Sequence, residues 1–178
     1  MDDNPYGFAS ADDKPIPYME RIRNYYTTLG YGKPYEWAHY SEAPFTPLKK
    51  PVSESRVALI TTAAPYQPGK GDQGPGSAYN AAAKFYDVYS GDTSVDHDTR
   101  ISHIGIDRVH TSQKDSNTWF PLPMLRQLAD KGVIGEVAPR FHGAPTNRSH
   151  RTTIEVDAAE IIRRVREDEA DVAVIAAN

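Results

Sequence analysis

The sequence contains no cysteine. That excludes a disulfide framework, a thiolate-ligated zinc or iron–sulfur centre, and a thiol nucleophile carried by this chain itself. Nor is there an apolar run near ~20 residues, and the mean hydropathy is −0.62, so no segment reads as a membrane span. Net positive charge is also missing. The formal charge is −4, which argues against broad attraction to nucleic acid or an anionic membrane surface. The first residues, Met1-Asp2-Asp3-Asn4-Pro5, are acidic and polar, the wrong chemistry for a secretory leader. These absences together lead to the expectation of a cytoplasmic protein.

What is present is unevenly spread. Of 178 residues, 14 are Pro and 11 are Tyr, and 7 of each lie before residue 56. The expected organisation is therefore an extended Pro/Tyr-rich arm over 1–55 and an α/β domain over 56–178. Proline at that density forbids long regular elements. One short helix is expected over Tyr18–Leu29, ending at Gly30. The arm's rings need a surface to pack on, either the rest of this domain or another subunit.

From Arg56 the texture changes. Val57-Ala58-Leu59-Ile60-Thr61-Thr62-Ala63-Ala64 is a continuous β-favouring run, the pattern of a strand buried on both faces in a parallel sheet. A Gly/Pro-rich loop, 66–77, follows it and matches neither a dinucleotide fingerprint nor a P-loop. Short strands are expected at Tyr86–Tyr89 and Arg100–Ile106. Met124–Lys131 reads as a helix, with prolines at its start and Gly132 just past its end. Val133–Ala138 reads as extended, stopped by Pro139. Asp157 and Glu160 have the spacing of a capping box for a helix running to about Glu169, with Arg163, Arg164 and Arg166 solvated. Asp171–Ala177 then reads as a second buried strand. The expected fold is α/β, with a parallel or mixed, Rossmann-like, three-layer sheet. A buried strand directly before Asn178 leaves a face to be covered, so the sheet is expected to be completed by a second chain.

Two polar clusters could carry chemistry. In the first, Asp96, His97, Asp98, His103, Asp107 and His110 offer oxygen and nitrogen ligands in no recognised metal spacing. Turn and strand roles are the plainer reading, and no metal is assigned. His103, set among Ile101, Ile104 and Ile106, is either a satisfied core histidine or a site residue. In the second, Arg140, His142, Arg148, His150 and Arg151 suit an anionic group such as a substrate carboxylate, or form an exposed basic loop. Ser94, Ser102, His103 and Asp107 lack a nucleophile-elbow context, so no Ser/His/Asp triad is expected.

Several blocks resemble the selenoprotein B family of glycine, sarcosine, betaine and D-proline reductases. They are the strand Val57–Ala64 and its Gly-rich loop, and Gly91-Asp92-Thr93-Ser94 with Arg100-Ile101-Ser102-His103 and Asp107. A third is Phe120-Pro121-Leu122-Pro123-Met124-Leu125-Arg126-Gln127-Leu128 with Gly132, Ile134–Pro139 and Gly143, and the last is the strand Asp171–Ala177. The likeness covers about residues 56–178. It implies reductive cleavage of a C–N bond next to a carboxylate, on an amino acid or related small molecule. In the family, the strand resembling 171–177 leads into the catalytic selenocysteine or cysteine. This chain stops there and has neither, so the resemblance implies truncation, cleavage after Asn178, or a second half encoded separately. The implied partner is a companion chain carrying the reactive Cys or selenocysteine, or a pyruvoyl group, in a hetero-oligomer. The cofactor is otherwise unknown. Thr62 and Ala63 after the first strand and Asn178 after the last would form one wall of the site. His103 would act as acid, base or orienting group, held by Asp92 and Thr93. Arg140, His142 or Arg148 would meet the substrate. The alternatives are a non-redox C–N hydrolase, lyase or racemase, metal-dependent or not, and a non-catalytic assembly subunit.

Overall fold

The computed structural model describes residues 17–32, 39–70, 84–102, 114–146 and 149–177. The chain divides into two compact units, Met1–Pro44 and Phe45–Asn178. In the first, α1 (Tyr18–Thr28) forms where expected and ends at Gly30, whose φ of 80° is the left-handed conformation that closes a helix. Tyr26 meets Tyr25 and Tyr31 edge to face.

The second unit is a mixed α/β structure. Its strands are β1 (Arg56–Thr61), β2 (Ala64–Pro65), β3 (Tyr89–Asp92), β4 (Thr99–Arg100), β5 (Glu136–Val137), β6 (Arg140–Gly143) and β7 (Val172–Ala176). β2 and β4 pair with each other as a small antiparallel ribbon. In the main sheet β1 is central. β7 runs parallel along one side of it, in register from Val57↔Val172 to Thr61↔Ala176. β5 and β6 run parallel along the other side as one interrupted strand. β3 is antiparallel to β6 and closes that side. The sheet is therefore mixed, with a parallel centre.

The interruption between β5 and β6 follows from the sequence. Val57 pairs with Val137 and Ile60 with His142, so four residues, 138–141, stand opposite two. Pro139 sits in this bulge, where its missing N–H costs no ladder bond. Thr93 closes the bulge. Its backbone N–H donates to Pro139 O at 3.0 Å and its hydroxyl to Ala138 O at 2.6 Å.

The register separates the two faces. Val57, Leu59, Tyr89 and Phe141 point to one face, where α2 (Leu122–Asp130) brings Leu122 and Leu125 and the preceding turn brings Trp119 and Phe120. Prolines stand at α2's start and Gly132, with φ 67°, follows its end, as the sequence indicates. Glycines and rings alternate across β3 and β6. Gly91 lies opposite Phe141 and Gly143 opposite Tyr89, and a Cβ on either glycine would collide with its partner's ring. Each ring thus covers the bare backbone of the glycine facing it.

The opposite face is covered by the C-terminal helical run. It begins as α3 (His150–Thr152), widens into a π-helical turn (Thr153–Asp157) and continues as α4 (Ala158–Glu167). The expected capping box at Asp157 and Glu160 is not formed. Asp157 is helical and buried, and the side chain that caps the run is Ser149, accepting from Thr152 N. The hydroxyl at 149 intercepts an orphan N–H earlier than the carboxylate at 157 could. Glu160 instead pairs with Arg163 and Arg164. Two further expectations are corrected. The strand near residue 86 begins only at Tyr89. β7, read as buried, exposes Val174 and Ile175, because among the described residues it has a ladder partner on one side only.

Candidate functional site

The polar face of the sheet holds a connected set of buried groups. Arg140 and His142 alternate along β6, so both point toward α4, and Ser90 of β3 lies opposite His142. Helix α4 presents Arg164, and Asp168 stands just past its end, one turn on, along the stripe begun by Ile161. His142 is fully buried, with Nδ1 2.9 Å from Ser90 Oγ and Nε2 3.1 Å from Asp168 Oδ2. Arg164 Nη1 donates to Ser90 Oγ at 2.8 Å, and Arg140 Nε donates to Asp168 Oδ1 at 2.8 Å.

Arg164 supplies an N–H to Ser90, and the serine hydroxyl shares a second hydrogen bond with His142 Nδ1, whose direction depends on the ring's tautomer. Burial holds His142 below the usual imidazole range. Asp168 opposes this, while the guanidinium groups of Arg140 and Arg164 act with burial. The balance of these influences favours the neutral ring. Asp168, through its hydrogen bond, raises Arg140, with Glu167 adding to the effect. The set ties α4 to the sheet through Arg164–Ser90 and Asp168–Arg140.

The other sequence-selected residues lie elsewhere. Ala63 is fully buried at the end of β1; its N–H reaches Thr61 Oγ1 and its carbonyl accepts from Tyr89 OH at 2.7 Å. Thr62 donates its N–H to Ala176 O. Asp92 is exposed and accepts from Ser94 N, which holds its carboxyl below the usual range. Thr93 is the bulge clasp. His103, Arg148 and Asn178 lie outside the described residues, as do Asp107 and His110. Asp98 is paired with Arg100 and Asp96 with Arg126. Among the described residues no three His, Asp or Glu side chains are grouped to hold a metal ion.

On the α2 face, a pocket of about 290 Å³ opens beside His97, with Phe120 and Leu122 as floor and Asp96, Ser116 and Arg126 around it.

Sequence reasoning selected Arg140 and His142 and missed Ser90, Arg164 and Asp168. A signal was available. Ile161, Arg164, Val165 and Asp168 fall at i, i+3, i+4 and i+7, so the inner face of α4 carries two charges.

The comparisons with known proteins can be set against this geometry. The profile of the glycine/sarcosine/betaine reductase selenoprotein B family matches residues 23–178. The chain is 32% identical over 137 residues to the D-proline reductase subunit gamma of Acetoanaerobium sticklandii, covering 75% of this chain and 52% of that protein. It is 25% identical over 149 residues to the glycine reductase complex component B subunit gamma of Symbiobacterium thermophilum, covering 82% of this chain and 33% of that protein. The chain thus spans about half and a third of the length of these curated relatives. No solved structure matches it. On the strength of the 23–178 match, the chain belongs to the glycine/sarcosine/betaine reductase selenoprotein B family.

Proposed function

We propose that this chain is a subunit of a multi-chain reductase that cleaves a C–N bond next to the carboxylate of an amino acid or related small molecule. The observation that carries the reading is the 32% identity to a D-proline reductase subunit across three-quarters of the chain. Residues 1–178 hold no cysteine, and in this reading the thiol or selenol nucleophile lies outside them, on a companion polypeptide. The balance is simple. The C–N bond breaks, carbon gains a hydrogen, nitrogen keeps its electron pair and takes a proton, and a dithiol supplies two electrons as it becomes a disulfide.

In this reading the chain builds one wall of the site. Thr62 and Ala63 follow β1, where open α/β sheets place ligands. His103 is the acid/base candidate and Arg148 a carboxylate candidate. His142 is fully buried, so its part is to hold β6 and α4 in place. Arg140 has donors committed to Asp168 and Glu167, and its part is the same.

The test is co-purification of the chain with whatever assembles on it, followed by assay on D-proline, glycine, sarcosine and betaine with and without a dithiol. Dithiol-dependent loss of substrate by the complex, and none by the 178-residue chain alone, is the expected result. Turnover without reductant would replace this reading with a hydrolase, lyase or racemase. Unchanged turnover in His103→Ala would remove that residue from the mechanism.

A further inference from the structure

The pocket beside His97 has the chemistry of a zwitterion site. Its central group is Arg126, one turn into α2. The guanidinium is fixed by backbone. Nε donates to Thr93 O at 2.7 Å and Nη2 donates to Val95 O. Nη1 reaches Asp96 Oδ1 at 2.7 Å. A guanidinium has five N–H groups, and these three bonds leave two.

The Asp96 bond is the weak member. The Asp96 side chain is 94% exposed, and an ion pair that open to water is weak. A soluble carboxylate can therefore displace Asp96 from Arg126, and can engage a second N–H in the bidentate manner. The carbonyl contacts keep the guanidinium plane in place during that exchange. Asp96 then stands beside the pocket as a free carboxylate. His97 donates from Nε2 to Asp92 O at 2.6 Å, which leaves Nδ1 as the ring atom not engaged by that bond. The Asp96 carboxylate suits an ammonium group. Phe120 and Leu122 supply an apolar floor for a short aliphatic body. The volume of about 290 Å³ admits a small amino acid and little more.

We propose that this pocket binds a small zwitterion, an α-amino or imino acid, with its carboxylate on Arg126 and its ammonium on Asp96. The proposal deepens the reductase reading, and rests on that reading only for the identity of the natural occupant.

The test uses the full chain and three probes: D-proline, propionate for the anion alone, and propylammonium for the cation alone. Arg126 also clasps the 93–96 turn, so its removal can unfold the protein. Asp96→Ala and Ser116→Phe are the informative variants. Calorimetric titration should rank D-proline above propionate and propylammonium last. Asp96→Ala removes the internal competitor and the cation's partner together, so propionate should tighten about threefold while D-proline weakens. Ser116→Phe places a ring in the pocket from an exposed turn, and should abolish binding of both with an unchanged thermal midpoint. D-proline binding that survives Ser116→Phe, or equal shifts of both probes in Asp96→Ala, would overturn the proposal. So would no binding of D-proline up to about 50 mM. The two readings fail separately. A complex inactive on every amino acid with the pocket's binding intact removes the reductase reading alone. An active complex whose KM is unmoved by Ser116→Phe removes the pocket alone.

Discussion

The two faces of the central sheet are built by opposite means. Under α2, Val57, Leu59, Phe141 and Tyr89 meet Phe120, Leu122 and Leu125 in a packed apolar layer. Under α4, the same strands present Ser90, Arg140 and His142 to Arg164 and Asp168. Successive residues of one strand serve both, since side chains alternate at every step. The apolar face gains stability in proportion to area, with little directional demand. The polar face gains little net energy, but accepts only one arrangement of donors and acceptors, and its members titrate. The first face holds the fold together. The second fixes how α4 sits on the sheet.

Four measurements would break or sharpen that contrast. The largest effect is expected on the apolar face. Phe141→Ala removes a fully buried ring contacting Tyr89, Phe120 and His97, and should cost about 4 kcal/mol in denaturant unfolding. Gly143→Ala comes next. Its Cβ would lie 1.8 Å from Tyr89 Cε1, and that ring is tethered through its hydroxyl to Ala63 O. A loss of about 3 kcal/mol is expected, and Gly143→Ala with Tyr89→Ala should restore part of it in a double-mutant cycle.

On the polar face, Asp168→Asn should cost about 2 kcal/mol, because Arg140 loses one of its two carboxylate partners but keeps Glu167, is 38% exposed and recovers some hydration. Far-UV dichroism should stay near wild type while hydrogen exchange in α4 quickens. The smallest effect is a pH dependence. His142 is held below its ordinary value of 6.5 in the folded chain. Below that pH the unfolded chain binds a proton that the folded chain refuses, so stability falls with acidification. The contribution is complete above about pH 6.5 and lost as pH drops through the folded value. Unfolding at successive pH values should show a shallower acid slope in His142→Gln. An unchanged slope would mean that His142 takes its proton in the folded state as readily as in the unfolded one.

Legibility in the sequence followed distance along the chain. The run Val57–Thr61, the Pro–Gly punctuation of α2 and the break at Pro139 all depend on neighbours a few residues away, and each appears where expected. The capping box failed for a reason equally local but hidden. Ser149 opens the helical run eight residues before Asp157, and the π-helical turn between them breaks the 3.6 periodicity used to find it. The polar site was half legible. Arg140 and His142 stood out as a basic pair, but their partners lie 28 and 52 positions away, at Asp168 and Ser90. In the run Glu167-Asp168-Glu169, only the helical stripe through Ile161, Arg164 and Val165 marks Asp168 as the buried one, and it names no partner. The alternation of Gly91 and Gly143 with Tyr89 and Phe141 was likewise invisible until the register of β3 and β6 aligned them.

By itself, the sequence determined that residues 1–178 carry no thiol, that they hold no apolar run near ~20 residues, and that strands and helices mix in an α/β unit from Arg56 on. Those conclusions depend on which atoms and which short patterns exist. The tertiary structure alone decided which charges are neutralised, which histidine is dry, and where Arg126 stands beside an opening. Those depend on which distant segments the sheet register brings within 3 Å, and pairing at that range has no signature in the sequence of either partner.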